Sequence, residues 1–316
     1  MPLNEIKEKR SRGTAGLRWT LARKKVVWAY IFLAIPIVFF AYIRVYPALF
    51  AFQMSLHDYN PLAAEQPFVG FENYEKLFSE LGKRKSQTKS AFQNTVNYVL
   101  LGVPIQLCLA LAISLMLNEI RFMSTLYRIM FFLPFVTSTI AIAWVFRMLY
   151  QPRFGLFNVI LQLVSLPQQP FLRSTQQALP SVLALVIWQG MGFAIIIFLA
   201  GLKQIPRTYY EAAEVDGASR WHTFRYITFP LLNPSIVYLL VLQTISFLRM
   251  FAPVIAMTEQ GRGGPLDSTV TVVLQTYREA FQSFNMGYAS SLTVVLFALI
   301  LGVTIVQLSV TSRRIN

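Results

Sequence analysis

Two sets of residues in this 316-residue chain have the types and spacing to do chemistry. The first runs Glu211-Ala212-Ala213, then Asp216-Gly217-Ala218, then Trp221. Alanines without bulk let a partner's walls approach the backbone, and Glu211 and Asp216 offer carboxylates to basic groups. Trp221 and Phe224 are large apolar anchors of the kind that dominate interfaces. That chemistry is docking. The second set is polar residues set inside apolar runs: Gln189, Gln243, Thr244, Ser246 and Arg249, beside Trp188, Phe193 and Phe247. Polar groups in hydrocarbon are costly, so each is a candidate for contact with a passing solute. The alternative is ordinary helix packing, in which Ser and Gln bond across helices. Gln243, Ser246, Phe247 and Met250 recur at i, i+3, i+4 and i+7 and so share one helical face. Arg249, in the outer half of its run, could pair with a carboxylate or phosphate on the solute. A structural arginine bonded to carbonyls or to a neighbouring subunit is the competing reading.

Other chemistries find no support. The single cysteine, Cys108, lies in an apolar run, and the two histidines, His57 and His222, stand 165 positions apart, which argues against a disulfide framework, a zinc site or haem. There is no G-x-x-x-x-G-K-[ST] loop to cradle ATP. Nor is there a set of paired acids to suggest a membrane-embedded enzyme. A net charge of +14 suggests nucleic acid, but 55% hydrophobic and 13% charged residues argue against it. A soluble domain carries about 25% charged residues. The excess apolar surface calls for membrane lipid.

The elements that must position these residues follow from hydropathy. Six runs reach the roughly 20 residues that cross hydrocarbon: 26–50, 91–117, 129–150, 179–202, 234–257 and 289–310. Each carries Gly or Pro, so kinked membrane helices are expected. The first run is too long for the apolar part of a signal peptide. The chain is therefore expected to be all-α, a polytopic membrane protein of six transmembrane helices preceded by a basic tail, residues 1–25. Sixteen of 28 basic residues fall in the tail, the second and fourth loops and the C-terminus, which places both termini in the cytoplasm. Arg44 and Arg147, near outer ends, are expected to snorkel to the interface.

The fourth loop, 203–232, is then cytoplasmic. Pro206 suits a first helical position and Gly217 a C-terminal cap, giving one short helix over about Arg207–Asp216 and a second from Ser219 to about Ile227. These cytoplasmic helices form a projecting elbow. A hairpin that merely lies on the membrane is the bland alternative, though adsorption needs no fixed Glu-Ala-Ala to Gly spacing.

Glu211-Ala212-Ala213, three residues, Gly217, nine residues, Ile227, one residue and Phe229-Pro230 resembles the EAA loop of permease subunits in bacterial ABC importers; only Phe229, usually leucine, departs. The likeness runs from about Ile31 to Arg314 and is greatest to the carbohydrate-type, maltose-transporter-like permeases. Tyr46-Pro47, Phe68 to Tyr74, Phe132-Leu133-Pro134, Phe154 to Asn158, Trp188-Gln189-Gly190, Gly263-Gly264-Pro265 and Tyr277 to Phe281 also match. The resemblance implies a second permease subunit, two ATPase subunits that bind ATP and Mg, and an extracytoplasmic solute-binding protein, at the bacterial inner membrane. This chain would hold no cofactor and no enzymatic activity. The elbow would be the coupling helix, with Glu211 facing a basic group of the ATPase. Sugar contacts would fall at Gln189, Gly190 and Phe193 and at Gln243, Ser246, Phe247 and Met250. With Arg249 beside them, an anionic sugar such as a uronate oligosaccharide or glycerol phosphate is expected. Gly263-Gly264-Pro265 and the stretch 267–287 would receive the binding protein. A secondary carrier or channel driven by an ion gradient is the alternative; the absence of acids from the six runs disfavours proton coupling but not sodium.

Overall fold

The computed structural model describes residues 25–26, 28–120 and 123–312. The basic tail before Lys25, and Arg121, Arg313 and Arg314, lie outside them. Two compact units emerge, Met1–Met54 and Ser55–Asn316. The first consists, where described, of one long apolar helix, α1 (Trp28–Ser55), with a π-helical turn at Ala41–Val45.

In the second unit, α2 (Glu72–Gly82) precedes α3 (Gln87–Glu119). Two shorter helices, α4 (Ser124–Val136) and α5 (Thr139–Leu149), follow. Then come α6 (Leu156–Leu163) and α7 (Ala178–Gln204). The elbow helices are α8 (Arg207–Val215) and α9 (Arg220–Leu231), the latter with a π-helical turn at Phe224–Thr228. After α10 (Asn233–Leu248) come α11 (Ala252–Met257), α12 (Val272–Phe281) and α13 (Met286–Ser312). At 1.5 Å per residue α3 and α7 are about 50 and 40 Å long, more than hydrocarbon requires.

Four of the six apolar runs are single helices: α1, α3, α7 and α13. The other two are broken, which corrects the expectation of simple kinks. The run 129–150 divides into α4 and α5, which meet at 95°. Pro134 donates no backbone hydrogen bond, Thr137 is extended and Ser138 non-helical, and Thr137 Oγ1 bonds back to the carbonyl of Leu133. The run 234–257 stops at Leu248 and restarts at Ala252, with Pro253 in the first turn of the new helix, where it has no N–H to continue the bonding of the turn before. Thr271 Oγ1 donates to the freed carbonyl of Met250 at 2.7 Å.

α7 is the axis of this unit, with 56% of its most apolar stretch buried against 28% for α3 and α13. One core gathers Tyr98 and Val103 of α3, Ala143 of α5, Val182 and Leu185 of α7, Phe247 of α10 and Val254 of α11. Nearer the elbow a second joins Ala110 and Leu117 of α3, Ile195, Phe198 and Leu199 of α7, and Leu239 of α10. A small third cluster forms a knuckle: Leu202 and Ile205 at the end of α7 pack with Leu232, the one residue between α9 and α10. The segment 267–287, expected to be loop, contains α12, whose Val272, Leu274 and Gln275 are buried.

Candidate functional site: a central cavity and an exposed elbow

The elbow takes its shape from its caps. Pro206 is the N-cap of α8, one residue before the expected first helical position. At the other end Ala218 N–H donates to Ala213 O (2.9 Å) and Gly217 N–H to Glu214 O (3.1 Å), the paired bonds of a Schellman turn. Gly217 has φ +70°, the left-handed conformation that such a turn demands, and nothing lies within 4 Å of where a side chain would stand. Ser219 caps α9 by accepting from the His222 backbone N–H at 3.3 Å.

Glu211, Ala212, Asp216, Gly217, Ala218 and Trp221 are all exposed, and Trp221 is 68% so. Trp221 packs on Phe224 with ring centroids 5.6 Å apart. Ala213 is a correction: it is 7% exposed, on the inward face of α8 three residues from half-buried Tyr210, so it offers no surface to a partner. Tyr210 Oη lies 3.2 Å from Thr228 Oγ1, tying α8 to α9. One contact escaped the sequence reading: Arg207 Nε pairs with Glu211 Oε1 at 3.2 Å, with both side chains exposed. Its signal was the i, i+4 spacing of opposite charges.

Where α3, α4, α5, α7 and α10 converge there is a cavity of about 510 Å³. α7 lines it with Gln189, Gly190 and Phe193, and α10 with Gln243, Ser246 and Phe247. Met250 and Arg249 also line it, but from the break after α10. The heptad-like repeat ending at Met250 is therefore not one helical face, because the helix stops at Leu248. Arg249 is the C-cap of α10, at the break within that run and not in a continuous helix. All eight positions proposed for solute contact thus border one space, and Arg249 is the only charged group among its described lining residues.

Two other candidates are elsewhere. Thr244 accepts from Gln307 Nε2 of α13 at 2.9 Å, and Trp188 packs on Phe146 of α5 at 5.3 Å. Gln189 has a structural role: its Nε2 donates to Thr137 O (3.2 Å) and Thr139 Oγ1 (3.1 Å), bracing the break between α4 and α5. Phe193 stacks on Phe135 of α4 at 5.2 Å, forming an aromatic wall. The sequence reading drew the site from two helices, and so missed Phe135, Thr139 and, on α3, Gln106.

At the end of α7 away from the elbow lies a second cavity, about 400 Å³, bordered by Arg147, Arg173, Glu259 and Arg262. Arg173 pairs with Glu259 at 3.1 Å. Arg147, expected only to snorkel, lies over the Trp144 ring (5.2 Å) and borders this cavity. Nearby, half-buried Arg278 pairs with Asp267 at 2.9 Å and donates to Arg262 O, fastening the loop of Gly263-Gly264-Pro265 to α12.

A family model described as "Binding-protein-dependent transport system inner membrane component" matches residues 84–315. The probable ABC transporter permease protein YesP of Bacillus subtilis strain 168 is 34% identical over 296 residues, covering 93% of each chain. The trehalose/maltose transport system permease protein MalF of Thermococcus litoralis is 33% identical over 267 residues, 84% of this chain and 86% of that one. Among solved structures, a bacterial ABC transporter involved in the import of the acidic polysaccharide alginate superposes with a TM-score of 0.77 at 25% identity, covering 92% of this chain and 96% of that one. Its broken and unbroken spans, its match over 232 consecutive residues and these relatives agree: the chain belongs to the binding-protein-dependent inner membrane components, the multi-pass permease subunits of ABC transporters.

Proposed function

We propose that this chain forms part of the translocation pathway of a sugar importer, with the central cavity as its solute site. The observation that carries the reading is the cavity itself: amides, a hydroxyl and aromatic rings line a space large enough for a small-molecule ligand. The relatives named for trehalose/maltose and alginate support a carbohydrate. The lone positive charge of Arg249 on that lining favours a solute with a carboxylate or phosphate, a uronate oligosaccharide or glycerol phosphate.

A second permease subunit completes the pathway, two ATPase subunits bind ATP and Mg and seat the elbow, and an extracytoplasmic binding protein delivers solute to the loops around Gly264 and α12. Both termini and the elbow face the cytoplasm. Exposed Glu211 and Trp221, on a stiffly capped turn, suit a groove with basic and apolar walls. The family match leaves nothing in favour of an ion-gradient carrier.

The test is reconstitution of the whole complex. Loaded binding protein should stimulate ATP hydrolysis, and Glu211→Ala or Gly217→Pro should uncouple it from uptake. Uptake by this chain alone without ATP would overturn the reading. Arg249→Ala should depress uptake of a mannuronate trisaccharide while sparing maltotriose, and equal, unaffected uptake of both would remove the anionic assignment.

A further inference from the structure

We propose that Gln106 of α3 is a solute-contacting residue, its amide placed to bond adjacent hydroxyls of the bound saccharide. The proposal rests on reading the central cavity as a sugar site. Gln106 borders that cavity and is only 1% exposed, yet neither its Nε2 nor its Oε1 has a hydrogen-bond partner. A buried amide with both ends unpaired opposes folding, and an apolar side chain of the same size would fill the space without that cost.

Its surroundings distinguish it from Gln189, another of the glutamines that line the cavity. Gln189 spends its Nε2 on the break between α4 and α5. Gln106 instead lies against bare backbone: a methyl group at Gly190 would stand 2.6 Å from its Nε2. Glycine there leaves the amide room beside α7, and no side chain on that helix position satisfies it.

A primary amide offers two N–H donors and a carbonyl acceptor side by side. A vicinal diol presents the complement, one hydroxyl oxygen to accept and one O–H to donate. Arg249 has donors only, which suits an anion. The two residues therefore divide the solute between them: Gln106 reads hydroxyls common to sugars, and Arg249 reads an acidic substituent where there is one. A site built to bond a hydroxyl rejects analogues that lack it far better than an apolar wall can.

The experiment uses the complete transporter in proteoliposomes with its solute-binding protein, and maltotriose, trehalose and a mannuronate trisaccharide as probes. Gln106→Met and Gln106→Leu should raise the KM for the transported probe roughly three- to fifteen-fold, the worth of one or two neutral hydrogen bonds. In the absence of sugar the same variants should melt at the same or a higher temperature, because an unpaired amide has gone. Gln106→Asn, which keeps the amide one methylene shorter, should fall between. Unchanged KM in either apolar variant, or a complex that melts lower or fails to assemble, would assign Gln106 a packing role and overturn the proposal. If the unaltered transporter imports none of the three probes, the sugar reading fails, and this proposal with it; import by the unaltered transporter with no response to Gln106 sinks the proposal alone.

Discussion

Gln189 and Gln106 face the same cavity and do opposite things for stability. Gln189 supplies the donor that the α4–α5 break lacks. Replacing it with leucine leaves a carbonyl and a hydroxyl without that donor, at about 1–3 kcal/mol, so Gln189→Leu should lower the melting temperature of the sugar-free complex. On the elbow, Gly217→Ala forces a side chain into the left-handed region at about 1–2 kcal/mol. Because that site is open to solvent, the variant should fold, with a reduced rate of solute-stimulated ATP hydrolysis as its readout. The Gly217 turn and the exposure of Glu211 were legible because they are set by local spacing. Gln106 was not. One glutamine in an apolar helix carries no periodic signal, and what makes it informative is a glycine 84 positions later on another helix. The inward turn of Ala213 was illegible for the same reason: the tyrosine bond that orients α8 comes from Thr228, beyond the next turn.

The helices themselves were the most readable level, since a span of 20 apolar residues reports its length directly. Their breaks were not. Pro134 and Pro253 mark where regular bonding fails, but a proline alone does not distinguish a kink from a 95° corner. The corner persists because groups distant in sequence satisfy the freed backbone: Gln189 at one break and Thr271 at the other. Thr271 also caps α12, accepting from Leu274 N–H at 3.3 Å. Thr271→Val, which keeps the shape and deletes the hydroxyl, should therefore cost about 1–3 kcal/mol and show as a lower melting temperature of the complex. It should also expose the 258–271 segment to limited proteolysis. α12 escaped the sequence reading because its helical stretch is short and its first turn depends on that cap.

At the scale of the whole chain, orientation was inferred from basic residues, many of which fall at the ends outside the described segments. Cys108, the only cysteine, is exposed on the apolar flank of α3. Cys108→Ala thus gives a cysteine-free background in which single cysteines at Ala212 and at Leu266 report opposite faces. A membrane-impermeant maleimide added outside intact cells should label the second and spare the first; labelling of the first from outside would invert the topology. The knuckle of Leu202, Ile205 and Leu232 adds a mechanical consequence. It pinches α7 and α10 together at the elbow, where the links are two residues on one side and one on the other. A relative tilt of α7 and α10 would then pivot at the knuckle, and would have to slide Leu239 against Ile195, Phe198 and Leu199. From Gln189 to Gln204 is about 22 Å of helix, so a relative tilt of about 10° at the knuckle parts the two helices by roughly 4 Å at the cavity. Under the proposed coupling, a twist of the elbow would separate α7 and α10 more at the cavity than at the knuckle.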